Sequence, residues 1–162
     1  MQIIPKITSI MATIALASTA FAADPDAAAL EKSTFGHWAP DGKALLKHYT
    51  EDMGMEEKDA EALLGESASM TVRVEKGTVH LHTKQGILSV SYKLVDADGE
   101  KKTLTLRPDM GPDADAAQAM KIRIEKDRIF LEDGPTKFIL KRIGQDEFNK
   151  RVKDLPDHEV GG

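Results

Sequence analysis

The chain has 162 residues, no cysteine, and 22 basic against 27 acidic side chains, with a formal net charge of −5. A length of this order is typical of one domain with its own hydrophobic core. Because charges of both signs are interleaved, the sequence argues against a nucleic-acid groove and against binding to an anionic membrane surface. The absence of cysteine excludes disulfides, thiol catalysis and thiolate metal sites.

Residues 1–22 have the pattern of a cleavable export signal. Lys6 precedes an apolar run over residues 7–17, and Ala20-Phe21-Ala22 fits a small-x-small cleavage site. The run is too short to span a bilayer. We therefore expect cleavage after Ala22, a periplasmic or secreted protein, and no membrane anchor.

The next stretch contains the only tryptophan and the first regular elements. Residues 23–34 are rich in alanine and aspartate and are interpreted as a lead-in segment. A short strand is predicted around Trp38 and is expected to end at Pro40, because proline donates no hydrogen bond to a ladder. The apolar residues of 42–65 then recur at helical spacing, which predicts a helix-turn-helix.

From about residue 70 the apolar period changes from 3.6 to 2. Seven further strands are predicted, and nearly all of them are joined by short turns such as Asp98-Gly99. Short strands with hairpin connections and one apolar face predict a mainly β fold, an antiparallel up-and-down barrel of about eight strands over residues 35–144. Residues 145–162 are expected to form a tail with a short helix.

This order of elements resembles the calycins, which include the lipocalins and the fatty-acid-binding proteins. Gly36-His37-Trp38 matches their Gly-x-Trp motif, and Arg142 lies where a basic residue closes the barrel floor. The segment 42–65 lies where fatty-acid-binding proteins have a helical lid. The resemblance implies that Gly36, Trp38 and Arg142 are structural, and that a lid covers an internal ligand. The stretch 137–139 lacks the Arg-x-Tyr pair that holds a carboxylate in fatty-acid-binding proteins.

The inward positions of the predicted barrel are mostly large and apolar, and no convergent titratable groups accompany them. An interior of this kind suits a small hydrophobic or lipid-like ligand, and it predicts neither enzymatic activity nor a cofactor. If side chains fill the barrel, the alternative is a module that binds or inhibits another envelope protein through its surface. The candidate ligand-binding residues are Tyr92, Val90, Leu104, Leu106, Ile122 and Phe138.

His80 and His82 are the candidate metal ligands. Side chains at i and i+2 share one face of a strand, so two imidazoles there suggest periplasmic copper binding as a further alternative. Both histidines alternate with apolar residues and are therefore expected to face solvent. No third ligand has an evident place beside them, and a solvated strand face is the favoured interpretation.

Overall fold

The computed structural model describes residues 25–109, 119–133 and 136–160, so the predicted export signal lies outside the described residues. Eight strands form a closed barrel in which each strand is antiparallel to its neighbours in sequence, and the last strand pairs with the first. This confirms the predicted fold class. The strands are β1 (Gly36–Pro40), β2 (Thr71–Glu75), β3 (Thr78–Thr83), β4 (Gly86–Asp98), β5 (Thr103–Pro108), β6 (Met120–Glu125), β7 (Arg128–Asp133) and β8 (Thr136–Ile143).

Within the described residues, four α-helices accompany the barrel. α1 (Pro25–Ser33) precedes β1, and α4 (Gln145–Val152) follows β8. Between β1 and β2 lie α2 (Gly42–Lys47), a π-helical turn (His48–Asp52) and α3 (Glu57–Ser67), which together confirm the predicted helix-turn-helix.

The barrel is closed where β1 meets β8, and Trp38 and Arg142 are directly opposite each other there. The Arg142 guanidinium carbon lies 4.2 Å from the centre of the Trp38 ring. Its Nη1 and Nη2 donate to the carbonyl oxygens of Phe35 (2.8 Å) and Ser33 (2.5 Å). The indole N–H donates to the Thr34 carbonyl at 2.8 Å. The predicted contact between tryptophan and arginine is therefore confirmed.

Gly36 is required by this closure. Its φ is +125°, and a Cβ added there would lie 2.9 Å from Nη1 of Arg142. A side chain at this position would be strained by the backbone conformation and would also displace the guanidinium.

β1 differs slightly from the prediction because it includes Pro40. Its pairing with β2 ends at Trp38, but its pairing with β8 continues to Pro40 opposite Leu140. Proline is tolerated at this end of the strand, since only one neighbouring strand remains.

The helix-turn-helix lies against the outer wall of the barrel. The resemblance had implied instead that this segment forms a lid over the end of the barrel. Leu45, Tyr49 and Ala60 form a buried cluster with Ile139 of β8. Ile139 alternates with the inward residue Leu140 and therefore faces outside. The chain turns toward this wall at Asp41, whose N–H donates to the Ile139 carbonyl (2.9 Å). Amphipathic spacing predicts an apolar helix face, but it does not specify which surface of the barrel that face covers.

The predicted lead-in segment contains helix α1, which lies at the barrel end where β1 begins. Leu30 packs against the core, and the Tyr92 hydroxyl donates to the Glu31 carboxylate at 2.9 Å.

Helix α4, which follows the last strand, packs on the outer face of β1. Its residue Phe148 is buried there with Ala39 and Ile143.

We predict that Arg142→Ala lowers the free energy of unfolding by about 1–3 kcal/mol, because a cation–π contact and two hydrogen bonds are lost. Arg123→Ala is the matched control, since Arg123 also stacks on an aromatic ring, Phe130, but at the outer surface (4.1 Å). Urea denaturation should show the larger loss for Arg142→Ala. Equal losses would mean that the stacking at the seam has no special role in closure.

Candidate ligand-binding cavity

The barrel encloses a partly open cavity of about 400 Å3. Five of the six predicted ligand-binding residues line it. Leu104 is the exception, because it is fully buried in the core and does not reach the cavity wall. The residues on the wall are Thr34, Met70, Val72, Val74, Val79, Leu81, Leu88, Val90, Tyr92, Leu106, Pro108, Met120, Ile122, Ile129, Leu131, Phe138 and Leu140.

Thr34 and Tyr92 bring the only hydroxyl groups to the described part of the wall. The Thr34 hydroxyl donates to the Glu31 carbonyl at 2.7 Å. The Tyr92 hydroxyl is 2.9 Å from the Glu31 carboxylate and 3.2 Å from the Glu75 carbonyl. Both hydroxyls therefore have partners within the protein, and neither needs a ligand to satisfy its hydrogen bonding.

Burial, together with the Glu31 carboxylate, raises the pKa of Tyr92 well above its ordinary value. The phenol is therefore neutral over the physiological pH range and is a poor proton donor or nucleophile. Tyr92 is also the only titratable side chain on the described wall. The cavity consequently has a surface suited to binding an apolar molecule and has no described acid–base pair that would support catalysis.

Exposed apolar side chains lie at the end of the cavity away from α1. Leu88, near the start of β4, is 36% exposed, and Met120, the first residue of β6, is 39% exposed. Pro108, the last residue of β5, and Met70, just before β2, complete this group. These four residues are called the mouth below. Partly exposed apolar side chains thus surround this end of the apolar cavity.

His80 and His82 lie on the outer face of the barrel, as the alternation predicted, but they are partly covered. His80 Nδ1 is 2.8 Å from the Ser89 hydroxyl, and its Nε2 is 3.5 Å from the Glu75 carboxylate. The His82 ring packs edge-on against Phe148 of α4 at 5.3 Å. Both side chains therefore face outward, as expected, but they are only partly exposed, because α4 and the C-terminal residues cover part of this wall.

No group of three or more metal-ligating His, Asp or Glu side chains occurs within the described ranges. His48 and Asp52, a pair that the sequence did not single out, are 2.8 Å apart on the π-helical turn. The other ring nitrogen of His48 accepts the Lys137 backbone N–H at 3.3 Å. Both nitrogens are thus occupied, and the pair attaches the helices to β8. Neither nitrogen is left to act on a substrate.

Comparison of the chain with protein-family models, with curated sequences and with solved structures finds no match. None of the helices in the described residues has the length and hydropathy needed to cross a bilayer.

We predict that Tyr92→Phe loosens α1 and leaves the cavity intact. Loss of the hydrogen bond to the Glu31 carboxylate should cost about 1.5–3 kcal/mol, the usual net value for a bond to a charged group. Hydrogen–deuterium exchange should become faster in residues 25–33. Tyr49→Phe, in the cluster outside β8, is the control and should leave this exchange unchanged; equal acceleration in both variants would contradict the role given to Tyr92.

Proposed function

We propose that this chain is an exported, non-enzymatic, calycin-like protein that binds a small apolar ligand inside its barrel. The observation that carries the proposal is the cavity of about 400 Å3. Ligand sites typically occupy about 300–1,000 Å3 and are mostly apolar. An eight-stranded barrel can be filled by its own side chains, so a space of this size is a distinguishing feature.

The seam of the barrel supports the calycin-like part of the proposal. Gly-x-Trp on β1 and a basic residue near the end of β8 are the features that the sequence shares with calycins, and here Arg142 stacks on Trp38 at 4.2 Å. The export signal predicted over residues 1–22 supports a location outside the cytoplasm.

The chemistry of the wall favours a hydrocarbon ligand over a fatty-acid anion held by its carboxylate. A buried carboxylate needs a cation or several donors, because an unpaired charge is costly in an apolar environment. No cationic side chain lines the described wall. Lys137 precedes the cavity residue Phe138, and the alternation along β8 turns it to the outside. Any polar group of the ligand is therefore expected to lie at the mouth.

The alternatives raised by the sequence receive less support. A surface-acting module with a filled barrel would not need an internal cavity. Copper binding through His80 and His82 would need free imidazole nitrogens on both rings, whereas both nitrogens of His80 already lie near polar partners. We therefore retain the apolar ligand as the proposed function.

The direct test is native mass spectrometry of the protein isolated from an exporting bacterial host, followed by titration with the apolar fluorescent dye N-phenyl-1-naphthylamine. We expect a co-purified apolar molecule, or dye fluorescence that saturates at one molecule per chain. The proposal would be overturned if no ligand co-purifies with the protein and dye binding does not saturate.

We predict that Val90→Phe weakens dye binding about tenfold or more, which corresponds to about 1.4 kcal/mol, because the larger ring fills space in the cavity. Ser91→Phe is the matched control, since Ser91 is the next residue of β4 and is exposed. It should bind the dye as the native protein does. Equal weakening by both substitutions would place the dye outside the barrel.

A further inference from the structure

The C-terminal residues 158–160 form a short strap on the outside of β4. The Ile87 N–H donates to the His158 carbonyl (2.9 Å), and the Val160 N–H donates to the Ile87 carbonyl (2.8 Å). Together these bonds make a parallel bridge between Ile87 and Glu159. The strap is thus attached to β4 one residue before Leu88, which belongs to the mouth.

The strap fits closely on Gly86. This glycine has a φ of +133°, and an added Cβ would lie 2.7 Å from both the His158 carbonyl oxygen and Cγ2 of Val160. A close approach of two backbones at a glycine indicates a specific seat for the strap.

A chain of polar contacts joins the strap to β3. Both carboxylate oxygens of Glu159 are 3.0 Å from the Ser89 hydroxyl. The same hydroxyl is 2.8 Å from Nδ1 of His80. His80 in turn lies 3.5 Å from the carboxylate of Glu75 on β2.

Helix α4 leads into the strap and rests on two further histidines. The Phe148 ring lies 4.1 Å from the His37 ring and 5.3 Å from the His82 ring, measured between centroids. Both imidazoles are partly removed from water by this contact, which favours their neutral form. A second attachment of α4 is the Arg151 guanidinium, which donates to the Ala68 carbonyl at 3.2 Å.

We propose that α4 and the strap form a latch beside the cavity mouth that protonation of His37 and His82 releases. Charged imidazoles would lose hydration in the contact with Phe148, so they favour the undocked state. Release of the strap frees the start of β4, including Leu88, and thereby eases ligand exchange. The last step rests on the proposed function; the latch itself does not.

The charges around the two histidines act in both directions. Burial, followed by Arg73, lowers the pKa of His37, and Glu75 opposes this. Burial, followed by His80, Arg73 and, as the smallest cause, His37, lowers the pKa of His82, and Glu159 of the strap opposes this. On α4 itself, the Glu147 carboxylate pairs with Arg151 and is therefore already engaged.

The pH dependence follows from these directions. At a pH well above the ordinary histidine pKa of about 6.5, both imidazoles are neutral in both states, and the docked state keeps its full stability. As the pH falls below this value, the released state binds protons first, so docking weakens. One pH unit below 6.5, each histidine favours release by up to about tenfold.

The first experiment uses the mature full chain and needs no ligand. NMR protection factors of the Ile87 and Val160 amides, corrected for intrinsic exchange, are measured between pH 7.5 and 5.5. We expect protection to fall on acidification, and His37→Gln with His82→Gln to remove most of this fall. His158→Gln is the control, because it removes a histidine of the strap outside the contact with Phe148. A pH-independent protection, or a response abolished by His158→Gln alone, would overturn the latch.

The second experiment measures dye dissociation by stopped flow. Glu159→Ala should increase the dissociation rate about two- to tenfold, as expected for loss of one hydrogen-bonded contact, and Asp157→Ala should leave it unchanged. An unchanged dissociation rate in Glu159→Ala would overturn the step from strap release to ligand exchange. Absence of dye binding would count against the proposed function alone, since the amide measurement decides the latch independently.

Discussion

The stacking of Arg142 on Trp38 is the interaction on which the rest of the molecule depends. β1 is only five residues long, yet it must pair with β2 on one side and with β8 on the other. A strand this short contributes few ladder hydrogen bonds, and the guanidinium stacked on the buried indole adds a further contact at the seam. Because the guanidinium also binds the carbonyls of Ser33 and Phe35, closing the barrel places α1 over its end.

Closure decides which residues face inward, and the size of those residues decides whether space remains. Strands β2, β3 and β4 contribute Val72, Val74, Val79 and Val90 to the wall. Valine is shorter than the leucine and phenylalanine found at other inward positions, so these four positions take up less of the interior. The hydroxyls of Thr34 and Tyr92 are occupied by α1 and β2, which leaves a surface without unmet hydrogen bonds. The described wall of the cavity is therefore almost entirely apolar.

The strands, the hairpins and the contact between Trp38 and Arg142 could be predicted because each has a local signal. Period-2 alternation specifies the inward face, and the closing pair follows from a motif together with its position on the last strand. Helix α1 could not be recognised in the same way, since an Ala- and Asp-rich segment has no strong apolar periodicity. It is held by tertiary contacts of Glu31 with Tyr92 and of Ser33 with Arg142.

The errors about surfaces share one cause. Amphipathic spacing indicated that the segment 42–65 buries an apolar face, but only the register of β8 shows that Ile139 offers a surface for it. In the same way, His82 was correctly placed outside the barrel, while its contact with Phe148 depends on the path of the chain after β8. Leu104 was an inward residue as predicted, yet it packs in the core away from the cavity. In these three cases the contacts between distant segments left no pattern in the sequence around either partner.

The central claim, that the barrel interior accepts an apolar guest, is tested most directly by methyl NMR during titration with a short alkane. The account predicts saturable shifts at inward methyl groups such as those of Val72, Leu106 and Ile122, and none at the outward methyl groups of Ile139 and Ile143. Shifts confined to the outward methyl groups, or no saturable shift at any methyl group, would contradict it.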